Sequence, residues 1–317
     1  MIAQTDDKTF IEMIEAVGIQ ETMRKLGYSD PRAVYKRRER LEAKIGRQIK
    51  SPNRLDAATR RATLLHPDWL ERTIANGVVL VGSDAHYWPG IITTAHMAFV
   101  LFCKKISPHT IIMNGDVFDG SSISRFPPIG WEKRPALVQE IEACKERLGE
   151  IEAVRGNAEL LWPLGNHDGR FETRLATVAP EYAKVHGVHL KDHFPYWKPC
   201  WAININGHTV IKHRFKGGIH AIFNNVRESG MNIVTSHRHA PNTVMYSDYN
   251  GIRYGNDTGT LANPYGPQFE SYTEQNPLNH RSAFTVLTFK DKELLPPETV
   301  LVLREGVVAF RGELIDV

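Results

Sequence analysis

The chain has 317 residues, of which 42% are hydrophobic and 24% are charged, so a collagen, a coiled coil or a disordered chain is excluded as the main class. No apolar run approaches the roughly 20 residues of a transmembrane helix, and the polar N-terminus does not resemble a signal peptide, so we expect no membrane partner. Three widely spaced cysteines favour a protein of the reducing cytoplasm.

The net charge of +3 is unevenly distributed along the chain. Between Arg24 and Lys50, ten basic and three acidic residues give a local charge of +7. The remainder carries 29 basic and 33 acidic residues, which gives −4. A basic segment joined to a mildly acidic body favours a polyanionic partner for that segment.

The first 50 residues are predicted to form a small helical module. A first helix is indicated by apolar residues at helical spacing before Gly18: Phe10, Ile11, Ile14 and Val17. A short second helix then spans residues 19–26. A third helix runs from about residue 32 to residue 45, with Ser29 or Asp30 as its cap.

These helices resemble the helix-turn-helix of small DNA-binding domains, in which the helix after the turn enters the major groove. The resemblance makes basic residues of the third helix candidates for contacts with nucleic acid, DNA being favoured: Arg32, Lys36, Arg37 and Arg40. The alternative is a solvated basic helix that packs on the body of the protein. A polar linker over residues 51–76 is expected to lead to a larger domain over residues 77–317.

From residue 77, short apolar runs alternate with helical segments. Strands are predicted at 78–81, 110–113 and 160–162, and helices at 93–105, 135–154 and 171–178. Strands dominate afterwards, at 201–205, 209–212, 233–235, 243–246 and 283–289. The alternation predicts βαβ units and an α/β sheet covered on both faces. Residues 254–260 are expected to form a turn-rich wall, and the tail over 299–317 to close the sheet or to pair with another chain.

Polar residues able to bind metals follow several of the predicted strands. In chain order they are Asp84 and His86; Asp116 and Asp119; Asn166, His167 and Asp168; His213; and His237 and His239. Because the carboxyl ends of strands in an α/β sheet form the ligand crevice, these groups are expected to converge. Carboxylates, an amide oxygen and imidazoles suit divalent transition metals, and the lack of cysteine in these motifs disfavours a structural zinc site.

The motifs resemble those of the calcineurin-like metallophosphoesterase superfamily over residues 77–261. In order they are Asp-x-His, Gly-Asp-x-x-Asp, Gly-Asn-His-Asp, a single His and His-x-His. The resemblance implies a four-layer α/β/β/α sandwich preceded by a small helical segment. It also implies two divalent metal ions, with Mn²⁺ favoured as the usual activator of the family and Fe²⁺, Zn²⁺ or Ni²⁺ as alternatives.

The same resemblance implies a role for each motif residue. One metal would be held by Asp84, His86 and His239. Asp116 would bridge to the second metal, which would be completed by Asn166, His213 and His237. A hydroxide bridging the metals would attack phosphorus, His167 would act as general acid, and Asp168 would orient or polarise His167.

Several further residues are candidates for supporting or substrate-binding roles. Asp119 is expected to support the metal loops, or else to be a simple turn residue. Candidates for contacts with a substrate phosphate or base are Arg125, Trp131, Arg134, Arg170, Arg174 and Arg214. The alternatives are a proline-rich surface loop over 121–134 whose aromatics pack on the body, and an ordinary helix face for Arg170 and Arg174. The last motif departs from the family in beginning with Ser236 in place of glycine.

These features together predict a two-metal phosphodiesterase or nuclease that acts on DNA. The combination of a basic helical segment with these motifs resembles phosphoesterases of bacteriophages and prophages, which places the protein in the cytoplasm of a bacterium or of an infected host cell. One alternative is a phosphomonoesterase or a cyclic-nucleotide phosphodiesterase. An alternative of another class is a DNA-binding regulator with a vestigial catalytic domain. The oligomeric state is left open.

Overall fold

The computed structural model describes residues 5–28, 30–49, 66–126, 128, 130–269 and 278–317. The chain divides into two compact units, Met1–Leu65 and His66–Val317, which are taken in turn. Residues 51–65 of the expected linker, and Ser29 as a possible cap, lie outside the described residues.

The described part of the first unit contains two helices, α1 (Asp7–Leu26) and α2 (Pro31–Ile45). Gly18 leaves the helical conformation, with φ of 81° and ψ of 170°, so α1 consists of two segments joined at the glycine. Asp30 caps α2, since its side chain accepts a hydrogen bond from the Arg32 backbone N–H. The segments enclose a small apolar core: Phe10, Ile14, Leu26, Val34, Leu41 and Ile49.

The second unit consists of two sheets and their covering helices. Its strands are β1 (Trp69–Arg72), β2 (Gly77–Gly82), β3 (Thr110–Met113), β4 (Glu159–Pro163), β5 (Lys198–Cys200), β6 (Ala202–Ile205), β7 (Thr209–Ile211), β8 (Asn232–Thr235), β9 (Asn242–Asp248), β10 (Gly251–Asp257), β11 (Ala283–Lys290), β12 (Glu293–Leu294), β13 (Glu298–Arg304), β14 (Val307–Phe310) and β15 (Glu313–Asp316). Its helices are α3 (Thr94–Ile106), α4 (Leu137–Val154), α5 (Asp168–Val178), α6 (Leu190–His193) and α7 (Ala221–Ser229), with 3₁₀ turns at Ser121–Ile123 and Pro180–Lys184.

The larger sheet has nine strands in the order β15-β14-β13-β11-β2-β3-β4-β5, with β12 paired to β11. The smaller sheet has six strands in the order β1-β6-β7-β8-β10-β9. Strands β2, β3 and β4 are mutually parallel, and β7 is parallel to β8. The loops that follow these five strands therefore leave their sheets at the carboxyl ends.

Side-chain alternation along the strands explains the layers. On β2, Val79 and Val81 belong to the core between the sheets, whereas Leu80 packs in the core under the helices. The core between the sheets also includes Ile203 and Ile211 of the smaller sheet.

Helices cover the outer face of each sheet. On the larger sheet, Phe99 of α3 and Leu148 of α4 pack in the same core as Leu80. On the smaller sheet, Val226 of α7 packs against Val210 and Ile233. The expected four-layer α/β/β/α sandwich is thus confirmed.

Several elements differ from the sequence-based expectation. Strand β1 lies within the expected linker and pairs in parallel with β6. Helix α7 was not predicted, and β10 occupies most of the expected turn-rich wall, where it pairs with β8 and β9. Both elements have weak sequence patterns, because Asn225 lies on the buried face of α7 and β10 contains two glycines and an aspartate. The C-terminal strands β13–β15 extend the larger sheet of their own chain.

None of the helices in the described part of the chain is long and apolar enough to cross a membrane.

Candidate metal centre

Three groups of side chains able to bind a metal form where the strand-end loops meet; one joins His86, Asp119 and His167, and the other two contain the expected ligands. In the first group, ligand atoms of Asp84, His86 and His239 lie within 4.8 Å of one another. In the second group, ligand atoms of Asp116, His213 and His237 do the same. These are six of the seven residues that the family resemblance implied as ligands of two metals; the seventh is Asn166, which follows β4. Asp84 and His86 follow β2, Asp116 follows β3, His213 follows β7, and the last two histidines follow β8.

Backbone hydrogen bonds hold the loops of the two groups together. The Asp84 N–H donates to the Gly115 carbonyl at 2.8 Å, and the His86 N–H donates to the Asp116 carbonyl at 3.0 Å. The His237 N–H donates to the Asp84 carboxylate at 3.0 Å. The loop after β2 is thus bonded to the loops after β3 and β8, which carry expected ligands of the second group.

Five of the expected ligands have left-handed backbone angles. The values of φ are 48° for Asp84, 40° for His86, 51° for Asp116, 73° for His237 and 54° for His239. Each non-glycine residue in this region costs about 1–3 kcal/mol, and such strain persists only where the surroundings impose it, usually at functional sites. Five of the seven expected ligands thus combine a strained backbone angle with a metal-binding side chain.

Close packing explains the glycine of the third motif. A Cβ atom at Gly165 would lie 2.0 Å from Oδ1 of Asp116 and 2.4 Å from its backbone nitrogen. Any side chain at this position would displace the expected bridging carboxylate. Gly165 is therefore needed for the approach of the loop after β4 to the loop after β3.

Two of the histidines that enter the site, His86 and His213, have their other nitrogen fixed. Nδ1 of His213 donates to the Asn114 carbonyl at 2.8 Å, and Nδ1 of His86 lies 2.9 Å from Oδ1 of Asp119. These partners leave the Nε2 lone pair of both rings available to a metal. The Ser236 hydroxyl also donates to the Asn114 carbonyl at 2.8 Å, so serine in the place of glycine strengthens the loop without removing a ligand.

The residues of the site fit a divalent transition metal. Nε2 of His86 and Oδ1 of Asn166 are buried atoms without a hydrogen-bond partner among the described residues. An unsatisfied buried polar atom costs about 1–3 kcal/mol, and metal ligation would remove that cost. The donor set contains imidazole, carboxylate and amide groups and no thiolate, which suits Mn²⁺, Fe²⁺, Zn²⁺ or Ni²⁺.

Strong electrostatic coupling links the carboxylates and imidazoles. Burial acts to raise the pKa of Asp84, but His239 and His213 lower it to about 2. Burial acts to lower the pKa of His213, but Asp116 and Asp84 raise it to about 10. Both carboxylates are therefore held in the anionic form that a cation requires.

His167 lies beside the two groups and is held by Asp119. Nδ1 of His167 is 2.9 Å from the Asp119 carbonyl oxygen and 3.1 Å from its Oδ1. Burial lowers the pKa of His167, but Asp116 and Asp119 outweigh this effect and raise it. The Asp119 carboxylate thus contacts both His86 and His167, as expected of a residue that supports the metal loops.

The structure corrects the role assigned to Asp168, because the hydrogen bonds of its carboxylate to described residues do not include the His167 side chain. Its buried carboxylate accepts hydrogen bonds from five donors: the backbone N–H groups of Asp116, Val117, Phe118 and Gly165 and the indole N–H of Trp162. Asp168 therefore clamps the loops after β3 and β4, and Asp119 is the residue that orients His167.

A basic cavity of about 620 Å³ opens beside Asn166 and His213. Five cationic residues line this cavity: Arg125, Arg170, Arg174, Lys212 and Arg214. The four arginines were named from the sequence. Arg170 donates to the Asp119 carbonyl at 2.9 Å, and its Nη2 lies 3.1 Å from Nε2 of His167. Lys212 was missed, although it directly precedes a ligand; burial and the neighbouring Arg214 lower its pKa.

Two expected substrate residues lie elsewhere. Trp131 is fully exposed and is absent from the lining of the basic cavity. Arg134 is held within its own loop, because it donates to the Ser121 and Phe126 carbonyls and pairs with Glu132 at 3.0 Å. The structure therefore does not bring these two residues into the basic cavity, and their contact with substrate stays a prediction.

The expected nucleic-acid contacts in α2 divide into two kinds. Arg32 and Lys36 are exposed, and Arg40 is 70% exposed, with an Asp7 oxygen 3.9 Å away. Arg37 is only 16% exposed, pairs with Asp7 at 3.1 Å and lies over the Phe10 ring at 4.2 Å. Arg37 thus stabilises the first unit and is not available as a surface contact.

The sequence matches no protein-family model and no curated protein sequence. Among solved structures, Yfce, a phosphoesterase from E. coli, is 13% identical with a TM-score of 0.33, covering 69% of this chain and 97% of its own. A protein serine/threonine phosphatase from Saccharomyces cerevisiae is 13% identical with a TM-score of 0.35, covering 95% of this chain and 98% of its own. Similarity this distant carries no argument about function, which has to come from the site itself.

Proposed function

We propose that the second unit is a metal-dependent phosphoric ester hydrolase and that its substrate is a phosphodiester of DNA. The observation that carries the proposal is the pair of three-residue ligand groups around Asp84 and Asp116, with His167 and the basic cavity beside them. A vestigial domain would have no reason to keep five strained ligand positions and unsatisfied buried ligand atoms.

Each part of the site has a task in such a reaction. The two groups and Asn166 would hold two divalent ions, with Mn²⁺ favoured, and these would neutralise the phosphate and lower the pKa of a water. His167 would give a proton to the departing oxygen from Nε2, because its Nδ1 is engaged by Asp119. In this structure Arg170 donates from Nη2 to Nε2 of His167; in the reaction it would donate to a phosphate oxygen instead, which would leave Nε2 free to carry the proton.

The proposal that the substrate is DNA is based on the charge of the first unit. Arg32, Lys36 and Arg40 are exposed on one helix, and their charge would attract a polyanion. This unit would hold DNA while the second unit cuts it.

The proposal is tested with a substrate panel in Mn²⁺. The panel contains plasmid and linear DNA, an aryl phosphodiester, an aryl phosphomonoester and a cyclic nucleotide. We expect DNA and the aryl diester to be cleaved, and Asp116→Ala and His167→Ala to abolish turnover. His220→Ala, at an exposed histidine outside the site, is the matched control and should retain activity. Intact DNA together with rapid monoester turnover would indicate a phosphomonoesterase, and activity confined to the cyclic nucleotide would indicate a cyclic-nucleotide phosphodiesterase.

A further inference from the structure

The basic cavity has an unusual charge distribution. Five arginine and lysine residues line it, and no aspartate or glutamate is among the lining residues that the structure describes. Arg125, Arg174 and Arg214 form no ion pair with any described residue. Uncompensated cations around one concave surface repel one another, so the cavity is built to receive an anion.

The number of cations exceeds the need of one phosphate. The scissile phosphate would lie at the ligand groups, where two divalent ions and Arg170 would already compensate its charge. Arg174 lies one helical turn after Arg170 on α5, and Arg125 belongs to a different loop. These outer cations fit a second anionic group.

Two exposed aromatic side chains line the same cavity. Trp201 is 41% exposed and Phe126 is 59% exposed. Exposed rings beside cations are the arrangement by which proteins bind single-stranded nucleic acid, through base stacking and backbone contacts. Bases within a duplex are already stacked and paired, so these rings would be of little use with double-stranded DNA.

We propose that the basic cavity binds the nucleotide adjacent to the scissile phosphate of single-stranded DNA, with its phosphate on Arg174 and Arg214 and its base on Trp201. The volume of about 620 Å³ is sufficient for one nucleotide. This inference rests on the proposed function and adds a preference for a strand end or an unpaired region. The inference also requires that the substrate carry a second phosphate next to the one that is cleaved.

The experiment uses the full chain with Mn²⁺ and three dinucleotide substrates. These are thymidylyl-thymidine alone, with a 5′-terminal phosphate, and with a 3′-terminal phosphate. We expect a terminal phosphate on one side to raise kcat/KM about tenfold or more, which is the gain from one charge-assisted contact. Arg174→Gln should remove most of that gain, because it removes the positive charge proposed to contact the terminal phosphate. The variant should still fold, because the Arg174 side chain is exposed on a helix. Arg227→Gln on α7, outside the cavity, is the matched control and should keep it.

A second comparison tests the stacking ring. The wild-type protein should cleave an unpaired oligothymidylate faster than the same strand in a duplex. Trp201→Ala should lower kcat/KM on the unpaired strand about tenfold, and Trp201→Phe should restore most of it.

The possible results separate this inference from the proposed function. Cleavage of all three dinucleotides with equal kcat/KM would overturn the second-phosphate site and leave the nuclease intact. An unchanged preference for the unpaired strand in Trp201→Ala would overturn the stacking assignment. Failure to cleave any oligonucleotide while an aryl phosphomonoester is hydrolysed would overturn both the inference and the proposed substrate.

Discussion

Asp168→Asn is expected to destabilise the second unit strongly, because Asp168 accepts five hydrogen bonds through two oxygens. Oδ2 accepts from the N–H groups of Asp116 and Gly165 and from the Trp162 indole, at 2.8, 2.8 and 3.0 Å. Oδ1 accepts from the N–H groups of Val117 and Phe118, both at 3.1 Å. Asparagine keeps one acceptor oxygen and puts an NH₂ group where the other oxygen was.

The magnitude follows from the number of donors left without an acceptor. With the amide nitrogen in the place of Oδ1, two buried N–H groups lose their partner and face a third donor. At about 1–3 kcal/mol for each unsatisfied donor, the free energy of unfolding should fall by about 2–6 kcal/mol. That is a large part of the ~5–15 kcal/mol by which most proteins are stable.

The assay is urea unfolding of the wild type, Asp168→Asn and Asp192→Asn. Asp192 is the matched control, because its partly buried carboxylate accepts a backbone hydrogen bond from Gly187 in a surface loop, and the change should cost less than about 0.5 kcal/mol. Equal stability of Asp168→Asn and wild type, with activity alone reduced, would refute the clamp. It would support the original expectation that Asp168 orients His167.

Three further outcomes are expected. Chelation should abolish hydrolysis and lower the melting temperature, because a metal at 100 times its Kd stabilises a protein by about 2.7 kcal/mol. The melting temperature is measured by scanning fluorimetry with and without Mn²⁺, and an unchanged value would contradict a metal centre at this site. Asp119→Ala should reduce kcat by about 10- to 100-fold, because His86 loses its carboxylate partner and His167 keeps only the Asp119 backbone carbonyl. Asp119→Asn should be intermediate, and wild-type rates for the alanine variant would exclude this role. In an anisotropy titration, the double variant Arg32→Gln/Lys36→Gln should lower DNA affinity and reduce the slope of log Kd against log salt by about 2. The control double variant on α3, Lys104→Gln/Lys105→Gln, should change neither the affinity nor the slope.

The layered fold and the meeting of the metal-binding side chains could be predicted because they depend on simple patterns. The buried strands β2, β3, β4 and β8 are continuous apolar runs, and the polar residues follow at their ends. The edge strand β1 could not be recognised in this way, because its sequence, WLER, is half polar and depends on pairing with β6.

The roles of individual polar side chains were harder to predict because a hydrogen bond depends on direction. Asp168 is adjacent to His167 in sequence, but it begins α5, and its side chain turns toward the loop N–H groups. Arg37 offered a usable signal, since helical spacing puts it on the same face as Val34 and Leu41, which are buried. Basic residues on such a face more often pack along the core than bind a partner.

The clamp and the strained ligands are parts of one arrangement. A left-handed angle at Asp116 turns successive N–H groups of the following residues toward one point, where the Asp168 carboxylate accepts them. The Asp116 carbonyl in turn accepts the N–H of His86, whose own angle is left-handed. The strain at one ligand is therefore offset by hydrogen bonds to the loop of another. Because the two groups share these contacts, a change in one loop should displace side chains of both groups, so two metals held there as we propose would be gained and lost together.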